Sequence, residues 1–295
     1  MTDDRRKKLE DLKRAVGGKI ISAADLLKNA PKPRPLPPPP SLPEEPVEEP
    51  VADTMGSTLA IGTGSCRRIE TDPAEVHNRG GQIVAEFDRV MRGARQRFDE
   101  LDASPGLCAA SDARGEDVLF LRLERSGGAE APIFLAGMAS LRGHDMIIEQ
   151  FLALEETEEP ALLQAIADRL GQASVAVTFD TARSGDVAAF RRRADLHPVS
   201  LPDRMPAGLN LRADFRQRYR GQLRSFSLAA LEQAFGGRRR KASLDRRAVP
   251  EIHRYFIETG DEAPLLRVLK SNREDLLAMV QLLTMLLTGS EPAGE

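Results

Sequence analysis

Tryptophan is absent from the chain, and aromatic residues make up only 4% of it. A core built from this sequence is therefore mostly aliphatic. Cysteine is scarce as well: Cys66 and Cys108 are the two present, and they form no C-x-x-C pair. This argues against a disulfide framework and a zinc site, and points to a reducing compartment. No apolar run reaches the length of a membrane span. The charged start (Asp3, Asp4, Arg5, Arg6, Lys7, Lys8) has no apolar segment behind it. The expected location is cytoplasmic, with no membrane partner. Charge of one sign is also lacking. The formal net charge is −3 at pH 7, so the chain as a whole announces neither nucleic acid nor a membrane surface. The four histidines, His77, His144, His197 and His253, have no ligand spacing and read as surface or turn residues.

What is present suits one main domain with appendages: 295 residues, 41% of them hydrophobic. Residues 1–30 read as a short helical segment broken at Gly17 and Gly18. Residues 31–56 read as a disordered Pro-rich linker, with prolines at every position of 37–40 and an acidic run behind them. Such a segment is a spacer, or a docking ligand through which a protein partner with an aromatic groove would bind. Residues 57–110 form an N-terminal extension without a recognisable fold, with short strands expected at 58–62 and 81–84 and helical spacing over 86–101.

From residue 118 the pattern sharpens. Residues 118–124 (VLFLRLE) have the composition of a strand buried on both faces, interrupted only by Arg122 and Glu124. Those two positions are two apart, so both side chains share one face of the sheet. Further strands are expected at 133–139 and 145–154, joined by short connections that favour antiparallel pairing. Thr157 is the expected cap of a helix with Pro160 in its first turn. A strand at 174–179, a basic helix at 186–194, a strand at 209–211 and a helical remainder follow. The last helix carries Leu276, Val280, Leu283 and Leu287 on one side. The order predicts an α/β (α+β) domain over 111–290, a mixed sheet flanked by helices.

Several segments together resemble the YprB-like ribonuclease H-like domain, a relative of the DEDD 3′–5′ exonucleases. Residues 118–128 (VLFLRLERSGG) are similar to that family's first strand, and 133–138 (IFLAGM) to its second. Residues 150–166 (QFLALEETEEPALLQAI) resemble its third strand and the helix that follows. Residues 225–232 (SFSLAALE), 250–261 (PEIHRYFIETGD) and 271–275 (SNRED) resemble later segments of the same family. The resemblance implies a ribonuclease H-like fold. It also implies a nuclease lineage in which acidic side chains hold Mg2+ or Mn2+, which activate water and stabilise the phosphoryl transition state.

The family's site is only partly matched. Its first aspartate aligns with Arg122, a later aspartate with Asn210 and its late histidine with Ser271. Glu124, Asp186 and Asp275 remain as catalytic or metal-binding candidates, enough for at most a weakly held ion. A guanidinium is permanently cationic and offers no lone pair to a metal. The expectation is a nucleic-acid-binding protein of this lineage, catalytically inactive or impaired, with Mg2+ or Mn2+ as its cofactor if it is active and otherwise a weakly held ion or none. The alternative is an active metal-dependent 3′–5′ exonuclease using Glu124, Asp186 and Asp275. A basic segment supplies the expected contact surface for single-stranded DNA or RNA: Arg216, Arg218 and Arg220, then Arg238, Arg239 and Arg240. Tyr219 and Phe226 are candidates for base stacking and Arg191, Arg192 and Arg193 for extending the patch; the alternative is a solvated face.

Overall fold

The computed structural model describes residues 55–62, 64–94, 103–179, 185–236 and 244–292. All belong to one compact unit, Pro43–Glu295; a separate unit, Met1–Leu42, lies outside the described residues. The helical segment expected at 1–30 and all but the last two residues of the expected linker therefore also lie outside them.

The strands are β1 (Ser57–Ile61), β2 (Gly64–Thr71), β3 (Val118–Arg125), β4 (Ile133–Arg142), β5 (Asp145–Leu152), β6 (Val175–Thr178) and β7 (Ala207–Asn210). The principal helices are α1 (Gly80–Arg89), α2 (Pro105–Asp112), α3 (Glu159–Gln172), α4 (Asp186–Ala194), α5 (Leu211–Arg218), α6 (Leu228–Gly236), α7 (Val249–Thr259) and α8 (Ala263–Thr288). The seven strands form one sheet in the order β1-β2-β5-β4-β3-β6-β7. Pairing is antiparallel from β1 through β3 and parallel among β3, β6 and β7. This is the mixed sheet expected of a ribonuclease H-like fold, with the 118–125 strand inside it. The β4–β5 hairpin turns on Gly143 and His144. Gly143 takes φ +67°, a conformation that costs glycine little and fits the twist of a two-residue hairpin.

Period-two alternation on β3 divides the molecule into layers. Val118 and Phe120 pack into a core with α1, α2, α5 and α8. Leu119, Leu121 and Leu123 point the other way, against Leu162, Leu163, Ile166 and Leu170 of α3 and Phe190 of α4. Each such buried apolar side chain contributes about 1.5–3 kcal/mol. Together they offset the cost of burying Arg122 and Glu124, which follow Val118 and Phe120 onto the α8 face. A third cluster joins Phe134, Leu135 and Leu152 to α7 and the start of α8.

Several local expectations give way to tertiary packing. Residues 81–84 are not a strand but lie in α1, where Ile83, Val84 and Phe87 follow helical spacing into the core. Thr157 does not cap a helix; a 3-10 turn (Glu156–Glu158) precedes α3, and Pro160 does lie in the first turn. The last strand ends at Asn210, and Leu211 already opens α5. The last helix begins at Ala263, so residues 271–275 sit in its middle. Residues 57–94 are not a separate extension: β1 and β2 extend the sheet from β5, and α1 covers one face of it. Among the described residues, no helix is long and apolar enough to cross a membrane.

Candidate nucleic-acid site

A cleft of about 530 Å3 opens at the C-terminal end of β3, beside the end of β6. Ligand crevices in open α/β sheets lie at this end of the parallel strands, where the chain diverges into loops. Arg122, Glu124 and Arg125 of β3 supply one wall, and Phe179 follows β6. Asp186 enters from the first turn of α4, Arg212 from the first turn of α5, and Ser271 and Asp275 from α8. Residues 227–229, Arg246, Arg247, Val249 and Pro250, around the starts of α6 and α7, close the remaining side.

Four charged groups interlock at the centre. Arg122 Nε stands 3.3 Å from Asp275 Oδ2, and Arg122 Nη1 donates to the Phe179 carbonyl at 2.8 Å. Arg246 Nη2 donates to Glu124 Oε2 at 3.0 Å and to the Leu123 carbonyl at 3.3 Å; its Nη1 stands 3.6 Å from Asp275 Oδ2. Arg122, Glu124, Asp186 and Asp275 are all buried, whereas Arg246 is exposed at the rim. Burial pushes the Glu124 carboxyl up to about 7. The Arg122 charge pulls it back, the Asp275 charge adds to the rise, and an Asn272 hydrogen bond and Arg125 oppose it.

Beneath the charges lies an amide relay. Asn272 Nδ2 donates to the Arg122 carbonyl at 3.2 Å, and Gln150 Nε2 donates to Asn272 Oδ1 and the Leu269 carbonyl, each at 3.0 Å. The relay joins β5, β3 and α8 and fixes where Asp275, one helical turn after Asn272, meets Arg122.

The structure thus brings Arg122, Glu124, Asp186, Ser271 and Asp275 to one cleft. Asn210 is not in its lining; it caps α5, its side chain accepting from the Ala213 amide. Arg216, Arg218 and Arg220 are exposed, while Arg238, Arg239 and Arg240 lie outside the described residues. Three expectations fail. Tyr219 is buried between Phe215 and Phe235, with its hydroxyl on the Ser290 carbonyl, so it offers no face to a base. Phe226 is partly buried against the same core. Arg192 and Arg193 do not extend a free basic patch, because they pair with Glu130 and Glu159. His253 is half-buried rather than a plain surface residue; it stacks on Phe134, with ring centroids 4.1 Å apart, and burial lowers its pKa. The part of Arg246 was not legible beforehand. It stood in the sequence as one cation of a long basic run, with nothing to single out Glu124 as its partner.

The donor set does not fit the divalent cations that the sequence resemblance implies. Two of the cleft's carboxylates, Glu124 and Asp275, are held by guanidiniums, and the buried Arg122 places a permanent positive charge among them. Among the described residues, no three His, Cys, Asp or Glu side chains gather closely enough to hold a metal ion.

A search of curated proteins returned no match. The family model for the RNase H superfamily matches residues 119–287, more than half of the chain and the whole of the cleft's strand and helix framework. With its sheet order and the position of its cleft, the chain belongs to the RNase H superfamily.

Proposed function

We propose that this protein is a nucleic-acid-binding member of the YprB-like exonuclease lineage in which hydrolysis has been lost or strongly impaired. The observation that carries the reading is the Arg122–Asp275 ion pair, extended through Arg246 to Glu124. A divalent ion would have to displace both guanidiniums. At an effective dielectric of about 20, two unit charges 4 Å apart interact by roughly 4 kcal/mol, so each displaced pair costs a substantial part of any binding energy. Ser271 adds to this, because a hydroxyl cannot accept a proton near neutral pH as an imidazole does. Binding is supported by cations that lead away from the cleft. Arg212 lines it, Arg216 follows one turn later on the same side of α5, and Arg218 and Arg220 are exposed beyond.

Two measurements test the reading. Affinity for single-stranded DNA or RNA is expected to fall steeply with salt, with a shallower slope after Arg216, Arg218 and Arg220 are replaced by Ala. Manganese is expected to raise the melting temperature of Arg122→Asp, which gains a ligand, and to leave the wild type nearly unchanged. Strand cleavage by the wild type with magnesium or manganese, together with an equal thermal gain from the metal, would establish instead an active exonuclease using Glu124, Asp186 and Asp275.

A further inference from the structure

Among the described residues, five guanidiniums line the cleft, from Arg122, Arg125, Arg212, Arg246 and Arg247, against three carboxylates, Glu124, Asp186 and Asp275. With every group ionised the lining carries a surplus of two positive charges. A phosphodiester brings one negative charge, whereas a phosphomonoester brings about −1.5 to −2 at pH 7 and three acceptor oxygens. We propose that the cleft is a metal-independent site for a terminal phosphate, the phosphomonoester end of a nucleotide or strand. The inference rests on the reading of the site as non-hydrolytic and names what it holds instead.

Three further features fit this ligand. Guanidiniums match phosphate oxygens in a planar fork, as a pair of metals would otherwise do by charge alone. The first turns of α6 and α7 contribute Leu228, Ala229, Val249 and Pro250 to the wall, which turns the positive ends of two helix dipoles toward the ligand. The volume of about 530 Å3 falls within the range of small-molecule sites and exceeds what a bare phosphate needs. Arg122 at the buried floor and Arg212 and Arg246 nearer the rim would grade the charge inward, guiding a chain end and leaving the strand to follow the exposed arginines of α5.

The test uses the full chain in excess chelator. Short single-stranded oligonucleotides with a 5′-phosphate, a 3′-phosphate or hydroxyls at both ends are compared by fluorescence anisotropy, with inorganic phosphate and a nucleoside monophosphate as competitors. One phosphorylated end is expected to bind at least about tenfold more tightly than the hydroxyl-ended strand, with no gain from magnesium or manganese. Arg246→Ala and Arg247→Ala, checked for wild-type melting, are expected to erase that preference while retaining the salt-sensitive strand binding of Arg212, Arg216, Arg218 and Arg220. Arg247 is exposed, so its variant keeps the test decisive; Arg246 pairs with the buried Glu124, so its variant is read only where it melts as the wild type does. Equal affinity for phosphorylated and hydroxyl ends, or a preference that appears only with a divalent cation, overturns the proposal while leaving nucleic-acid binding intact. A rise in melting temperature with inorganic phosphate or the mononucleotide, without strand binding, would support the phosphate site and overturn the nucleic-acid reading.

Discussion

Glu124 is the residue at which burial and pairing oppose each other most directly. Its carboxyl pKa is pushed to about 7 from an ordinary 4.5. The folded chain therefore keeps a proton that the unfolded chain has already released between these values. Stability that this group contributes at acid pH is lost as pH rises through that window, and levels off above about 7. At about 1.4 kcal/mol per pH unit, the loss amounts to roughly 3 kcal/mol. Glu124→Gln keeps the acceptor for Arg246 but cannot ionise. Relative to this variant, the wild type is expected to lose melting temperature between pH 5 and pH 8. Parallel melting curves over that range would show that Glu124 does not titrate there. The remaining pairs at the centre of the cleft explain why Arg122 is held so firmly: deletion of one partner from a buried ion pair typically costs about 3–5 kcal/mol.

Among the elements, α8 decides where the cleft forms. It crosses the sheet over Gly137 of β4, where a Cβ would lie 1.9 Å from Asn272 Oδ1. Hydrogen at this position is what allows the Asn272 amide to reach both Gln150 and the Arg122 carbonyl. Gly137→Ala is expected to destabilise the protein by about 1–3 kcal/mol, the usual cost of overpacking, measured by urea unfolding. Asn272→Ala should cost less in that background than in the wild type, because the clash and the amide share one site. Additive costs would mean that Gly137 and Asn272 are not coupled. On the opposite face, Glu149 of β5 is buried and takes Arg68 of β2, Arg142 of β4 and Arg169 of α3 at 2.6–3.3 Å. Burial raises its pKa, but the hydrogen bonds and charges of Arg169 and Arg68 bring it below the ordinary value. Glu159, at the start of α3, accepts the Ile133 amide and pairs with Arg193 of α4. These carboxylates tie the two ends of α3 to β5 and β4, and Glu159 holds α4 beside them.

For the molecule as a whole, the seven-stranded sheet sets the unit that must fold together. Phe87, Val90 and Met91, from the region before residue 111, are buried in the same core as Leu276, Val280 and Leu283 of α8. A chain beginning at residue 111 would uncover that core and leave β5 without β2. It is expected to lose the cooperative thermal transition of the full chain, as followed by near-ultraviolet circular dichroism and calorimetry. A shortened chain that melts cooperatively near the full-length temperature would make 111 a true domain boundary.

The sequence by itself determined the order of strands and helices from 118 to 210, because alternation on a strand and helical spacing are local consequences of side-chain direction. It also marked Arg122, Glu124 and Asp275, through motifs whose order matched a family, and it placed two charges on one face of an interior strand. Tertiary structure alone decided that Arg122 meets Asp275, that Arg246 reaches Glu124 across 122 positions of sequence, and that Tyr219 turns into the core. It likewise decided that residues 81–84 become helix and that β1 and β2 join the sheet. The reason is physical. A guanidinium finds its partner by proximity, and proximity between distant residues follows from how helices pack on the sheet; local sequence supplies the charges but not the contacts that pair them.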